Sequence, residues 1–369
     1  MPAIAYTLLV NGAPPDPEVF GAIQQIEVED SAEMAGMMRL RLATGVREDR
    51  TGWTILDDEV FERLANLRIL ITVGAGVPEP LIDAYVIEAS VNISNEPGKS
   101  SLNIVAMDPT VMMNLEEKVR PWPDMADSDI ATAIFREYHF IPEVERTQPS
   151  RLARDRTVIQ RGTDIHFLKQ LAARNGYECY VEAHPTLEKN VGYFRSPQLG
   201  ARPQGVLFVN MADATNVNSF SARFDMLSAA TAHTAGVDIE TRSPQKADVD
   251  DSSLESLGAE PTLSEESPRT VLLSESGLSQ TDELTTFAQA VVDRSTWAVT
   301  ADGELNTVAY GGVLRARRIV LVRGAGLVFS GRYYVERVLH TFGGEGYTQR
   351  FTLRRNASGL APEDLASPD

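Results

Sequence analysis

The sequence predicts an α+β, mainly β protein in which two strand-rich segments flank a small α+β region. Three observations carry that prediction. Apolar residues alternate with period two in short runs near both ends of the chain. Two stretches at helical spacing interrupt this texture between residues 128 and 176. A long polar, acidic stretch then separates the final strands from those before it. At ~100–200 residues per domain, a chain of 369 residues holds two or three domains.

Residues 1–110 read as strands. Ile23 to Val28 and Met38 to Leu42 alternate, and Leu67 to Val73 is a compact apolar run. Leu81, Tyr85, Ile87, Ala89, Val91 and Ile93 share one face by period-two counting, with Asp83 as the exception. Asn95-Glu96-Pro97-Gly98 makes a turn, and Leu102, Ile104 and Ala106 resume a strand ending at Asp108-Pro109. Short strands at this spacing form an antiparallel barrel or sandwich.

Residues 111–204 read as a small α+β domain. Ser128 caps a helix carrying Ile130, Ala133, Ile134 and Tyr138. A second helix starts at Thr163-Asp164, lines up Ile165, Leu168 and Ala172, and stops at Gly176. Tyr177 to Glu182 and Gly192 to Arg195 are strands.

Residues 205–237 return to strand texture. Residues 238–304 read as an acidic mobile insertion plus a helix. Its stretch 242–268 has too few large apolar residues to offset its ordering entropy. Leu284, Phe287, Ala288 and Val291 mark the helix. Residues 305–356 complete the second β unit begun at 205–237. There Val313 to Val322 is a strand, Gly324-Ala325-Gly326 its turn, Gly331 to Phe342 the return strand, and Tyr347 to Arg354 the last. Residues 357–369 read as a loose tail. Two β segments of similar size hint at an internal duplication, but no sequence repeat is visible.

Composition narrows the function. With 43% hydrophobic and 23% charged residues, the chain is not mostly disordered. One cysteine, Cys179, cannot make an internal disulfide or a Cys-rich zinc site. The N-terminus lacks the basic start and apolar core of a signal peptide, and the longest apolar stretch is about half a membrane span. Synthesis and folding in the cytoplasm, with no membrane segment, are therefore expected. A net charge of −18 argues against nucleic acid or an anionic membrane as a whole-surface partner.

Nothing in the sequence assembles a catalytic site. The five histidines have no metal-ligand spacing. Cys179 lies between Tyr177 and Tyr180, and reads as a small buried thiol. Gly98-Lys99-Ser100 is similar to the end of a phosphate loop, but Ile93 stands where the loop's first glycine belongs. No G-x-S-x-G elbow occurs. Glu137 reads as an exposed helical carboxylate. No enzyme activity, metal or cofactor is expected.

The sharpest signal is Val158-Ile-Gln-Arg-Gly-Thr-Asp-Ile-His-Phe-Leu-Lys-Gln-Leu-Ala-Ala-Arg-Asn-Gly-Tyr-Glu-Cys-Tyr-Val181. It resembles the phage late control gene D family, the baseplate hubs of contractile tails, and the hub portion of VgrG. Three other stretches resemble the same family: Ile104 to Asp108, Asp127 to Tyr138, and Gly331 to Asn356. The resemblance implies two tube-type barrels per chain and a homotrimer with a pseudo-sixfold ring. Such a ring joins a sixfold inner tube protein to a threefold spike among other baseplate components. Because the chain stops at Asp369, the spike is expected to be a separate protein. The alternatives are a peptidoglycan-cleaving baseplate component and a tail-tube or distal-tail protein. The setting would be a phage tail or a contractile injection particle.

The charge is uneven. Residues 1–237 carry −11, residues 238–304 carry −11, residues 305–356 carry +7 and the tail carries −3. The Arg-rich final strands are thus expected to meet acidic surface on a neighbouring subunit or tube. The candidate interface residues are Arg315, Arg317, Arg318, Arg332, Tyr333, Tyr334, Phe342, Tyr347 and Arg350.

Overall fold

A computed structural model describes residues 4–96, 98–147, 157–237, 242–263, 269–273, 281–344 and 346–364. Pro97 of the predicted turn, residues 264–268 of the polar stretch, Glu345 of the final hairpin and the last five residues of the tail lie outside them.

Six strands open the chain: β1 (Ile4–Val10), β2 (Ile23–Ser31), β3 (Met37–Ala43), β4 (Asn66–Val73), β5 (Glu79–Asn92) and β6 (Ser101–Met107). A short helix, α1 (Pro17–Ala22), precedes β2. They pair in the order β1-β4-β5-β6-β3-β2, antiparallel throughout. Val28, Met38, Leu40, Leu67, Ile69 and Ile104 fill the core beneath them.

In β5 the predicted face breaks. The inward residues are Ile82, Ala84 and Val86, while Ile87, Val91 and Ile93 are 42%, 42% and 55% exposed. A register shift between Val86 and Glu88 inserts one residue and inverts the alternation. Beyond it, Ala89 lies opposite Ile104 and Val91 opposite Leu102, so both sit on the core side. They stay exposed because β4 pairs with β5 only as far as Tyr85.

The middle region follows: β7 (Glu117–Trp122), α2 (Asp127–Glu137), β8 (Ile141–Val144), β9 (Val158–Thr163), α3 (Asp164–Asn175), β10 (Glu178–Ala183) and β11 (Asn190–Arg195). Strands β7 and β9 form a ribbon, and β10-β11-β8 form a small sheet under both helices. Helix α2 starts at Asp127 with Ala126 as its N-cap, two residues before the predicted cap at Ser128. The Asp127 carboxylate there accepts from Arg174 and Asn175 of α3, which ties the helices together. Gly176 ends α3 with φ +70, a left-handed value that favours glycine.

The second β unit starts with β12 (Val206–Phe208) and β13 (Val217–Phe224). The insertion then contributes β14 (Thr231–Val237), β15 (Pro244–Val249), β16 (Glu260–Pro261), β17 (Thr270–Leu273) and α4 (Thr281–Ser295). Pro244–Val249 was expected in irregular chain. It pairs with β14 and buries Ala247 and Val249. Polar bonds hold the chain after it, where Asp293 of α4 accepts from Ser252 and Ser253. Serine hydroxyls and amides thus anchor this stretch together with Leu257, which is buried in one cluster with Ile319 and Tyr334.

The chain closes with β18 (Val299–Leu305), β19 (Ile319–Arg323), β20 (Gly331–Gly343), β21 (Gly346–Arg355) and β22 (Ala357–Ser358). Strand β19 starts at Ile319, later than predicted, and the side chains of Arg315 and Arg317 just before it reach Asp30 of the first unit. A helical turn, Gly326–Phe329, replaces the simple glycine turn. Residues 357–364 are docked rather than loose. There β22 pairs with β16, and Asp364 accepts from Arg332 at 2.7 Å.

The second unit repeats the first. Strands β13, β18, β19, β20 and β21 pair in the same antiparallel pattern as β2, β3, β4, β5 and β6. The register shifts coincide too. That between Ile23 and Gln25 matches Val217 and Ser219, and that between Val86 and Glu88 matches Val335 and Arg337. One pairing differs, since β12 runs parallel to β19 whereas β1 runs antiparallel to β4. The units join edge to edge, Ile26–Ser31 of β2 pairing with Arg337–Phe342 of β20, so twelve strands form one sheet.

Candidate functional site

Of the nine residues singled out in the final strands, most are committed within the chain. Tyr333 and Tyr334 are wholly buried. The Tyr333 hydroxyl donates to the Phe329 carbonyl at 2.8 Å. Phe342 stacks on Tyr347 at 4.4 Å and tilts against Tyr6 of β1 at 5.0 Å. Arg332 holds Asp364. Arg350, well exposed, pairs with Glu304 at 3.0 Å. Arg318 is exposed. Arg315 and Arg317 turn inward, to the place where the three parts of the chain meet.

That junction is built on Asp30, near the end of β2. Arg317 Nη1 lies 2.7 Å from Asp30 Oδ1, and Arg315 Nε lies 3.1 Å from Oδ2. The Ala316 amide also donates to Oδ2 at 3.1 Å. Burial alone would raise the Asp30 carboxyl, but Arg317 and Arg315 hold it well below the usual carboxylate range. Arg315 reaches the carbonyls of Pro80 and Leu81 on β5. Arg317 also donates to Glu182 of β10 at 2.9 Å and lies over the Tyr180 ring at 4.4 Å.

A second cluster repeats the device. Arg354 on β21 pairs with Glu178 at 3.1 Å and Glu33 at 2.9 Å, and sits over Trp297 at 4.5 Å. The Tyr334 hydroxyl donates to Glu178 at 2.6 Å. Burial pushes the Glu178 carboxyl up, against the pull of Arg354. Strand β10 therefore offers Glu178, Tyr180 and Glu182 from one face, by period-two alternation. These residues were missed in the sequence. Their only signal was that alternation within Tyr177 to Glu182.

These buried ion pairs clamp the two β units to the middle region. A cavity of ≈ 390 Å³ lies beside Arg354, between α3 and α4, with Cys179 at its wall. Burial pushes that thiol up to about 12, which keeps it protonated and inert near neutral pH. Among the described residues, no group of His, Cys, Asp and Glu could hold a metal ion. No helix among them is long and apolar enough to cross a membrane.

Several edges of the twelve-stranded sheet, those of β1 and β12 included, carry no partner strand among the described residues, and two more stand out. One is the outer edge of β13, which ends the sheet. The other is the edge of β5 past Tyr85, where Ile87–Asn92 pair with β6 alone.

The family model described as the Alg8 N-terminal domain matches residues 2–343. No curated protein matches the sequence. Solved structures share the fold. A 43 kDa tail protein of prophage MuSo2 from Shewanella oneidensis is 15% identical, covers 96% of this chain and 99% of its own, and has a TM-score of 0.65. A tail protein from Neisseria meningitidis is 10% identical over 96% and 97% of the two chains, with a TM-score of 0.67. The E. coli c3393 protein, described as a type VI secretion component similar to T4 tail proteins, is 13% identical. It covers 98% of this chain and 81% of its own, with a TM-score of 0.58.

Proposed function

We propose that this chain, a member of the Alg8 N-terminal domain family whose model spans the first β unit and the second as far as β20, is a structural hub of a contractile tail-like particle. One observation carries this reading. A single chain holds two copies of one β unit, already joined edge to edge through β2 and β20. Three such chains present six units, so a homotrimer can offer a sixfold inner tube six similar positions while retaining threefold symmetry for a spike. We assign 1–110 to the first tube-type barrel and 205–237 with 305–356 to the second. Residues 111–204 and 238–304 are the added parts. The fold shared with proteins described as tail and type VI components supports the same setting, a phage tail or injection particle.

The interface residues proposed from sequence divide in this reading. Arg318 and Arg350 remain available to the tube or to other baseplate components. Arg315, Arg317 and Tyr334 serve instead to fix the angle between the units. The chain's role is thus mechanical, and no reaction is assigned to it. The test is mass in solution, alone and with the inner tube protein. An assembly near three times 40.4 kDa supports the hub. A hexamer would point to a tube subunit, and clearing of peptidoglycan by the purified chain would overturn the structural reading.

A further inference from the structure

The internal repeat reaches beyond one chain. Inside it, β2 of the first unit pairs with the second half of β20, the strand equivalent to β5. The equivalent of β2 is β13, at the other end of the sheet. Its counterpart partner is the second half of β5, whose edge is open. We propose that β13 of one copy adds antiparallel to residues 88–93 of β5 in the next copy, and that this strand pair closes the ring. The inference rests on the hub reading and specifies its subunit contact.

The repeat also sets the register. The shared bulges align Ile26, Val28 and Glu29 of β2 with Phe220, Ala222 and Arg223 of β13. They align Arg337, His340 and Phe342 of β20 with Glu88, Val91 and Ile93 of β5. Within the chain, Ile26 pairs with Phe342 and Val28 with His340. Between copies, Phe220 then falls opposite Ile93, Ala222 opposite Val91 and Phe224 opposite Ala89. Each of these pairings joins apolar residues. Their burial state agrees. Ile26 and Val28 are fully buried by β20, whereas Phe220 and Ala222 are only half-covered and Val91 and Ile93 are exposed.

Charge selects a second copy as the occupant. Within the chain, Glu29 on β2 pairs with Arg337 on β20 at 3.6 Å. The aligned positions are Arg223 and Glu88, so the same ion pair forms between copies with its signs exchanged, and Arg223 also offsets Asp225, which this register sets opposite Glu88. Among the described residues, neither Arg223 nor Glu88 has an ion-pair partner. A flat apolar edge left open is also a hazard that a closed ring removes.

Cysteine pairs test the contact. Val91 is exposed and Ala222 lies on the edge strand at the margin of the core, so two small thiol side chains disturb the single chain little. The A222C/V91C chain should form reducible oligomers on mild oxidation, because directly opposed Cβ atoms lie ~4.5–5.5 Å apart, within a small adjustment of the ~3.5–4.5 Å of a disulfide. A222C/N92C places its thiols on opposite faces of the sheet and should stay unlinked. In parallel, R223E should lose the trimer peak, and R223E/E88R should recover it. A trimer that forms without the A222C/V91C link, or that tolerates R223E, overturns this contact and leaves the hub standing. A chain that stays monomeric with and without the tube protein, and unlinked, overturns both.

Discussion

Asp30→Ala removes the centre of the junction. It takes away a buried carboxylate that accepts from Arg315, Arg317 and the Ala316 amide. Removing one partner of a buried ion pair costs ~3–5 kcal/mol. Arg317 keeps Glu182 and the Ser31 carbonyl, which places the cost at the low end, ~3 kcal/mol. For 369 residues, ~2.1 cal/mol/K per residue gives an unfolding entropy on the order of 0.8 kcal/mol/K. Melting temperature should then fall by about 4 °C at neutral pH. The pH dependence supplies a second readout. Arg317 and Arg315 depress the Asp30 carboxyl against burial, so its stabilisation is complete well above the unfolded value of ~3.9, begins to fall below that, and is lost only as pH passes the depressed folded value. Differential scanning calorimetry from pH 7 to pH 3 should show the gap between wild-type and variant curves constant at first and starting to narrow below about pH 4. A variant melting within 1 °C of wild type at pH 7, or a constant gap down to pH 3, would refute the reasoning.

His340 titrates in a different window. Burial lowers it to about 3, so the folded state keeps it neutral while the unfolded state takes up a proton below ~6.5. Stability should therefore fall from pH 6.5 towards pH 4, and His340→Gln should flatten that slope in urea titrations. Arg355 is buried and donates to the carbonyls of Leu257, Ser330 and Gly359. Arg355→Met strands those carbonyls, at ~1–3 kcal/mol for each left unsatisfied, and limited proteolysis should then cut near residues 256–262 and 357–364. Gly192 lies under the Phe135 ring, where a methyl group would overlap it. Gly192→Ala should cost ~1–3 kcal/mol by overpacking, and Gly192→Ala with Phe135→Leu should recover part of that in thermal melts.

Alternation and helix caps made most elements legible, including α3 with its stop at Gly176. The duplication was not legible, for a packing reason. Leu40 faces Ile104 in the first unit, while the aligned position in the second has Gly303 facing Phe351. The volume has moved across the strand pair, so the geometry repeats where the letters do not. Strand β5 misled because a bulge inverts alternation without leaving a mark in composition. The junction was half visible. The arginines stood out as a basic run, but their partners Asp30, Glu178 and Glu182 lie some 135 to 287 positions away along the chain. The polar stretch hid β15 because only Ala247 and Val249 mark its buried face, and its pairing with β14 leaves no sign in composition.

The insertion of β14 to β17 and α4 falls between β13 and β18, and the first unit has no counterpart between β2 and β3. The chain thereby carries its own arithmetic. A ligand that recognises the sheet finds two equivalent addresses on each polypeptide, and one that recognises the insertion finds a single address. Stoichiometries of two and one are thus written into one gene product, with no second subunit needed to tell alternate positions apart.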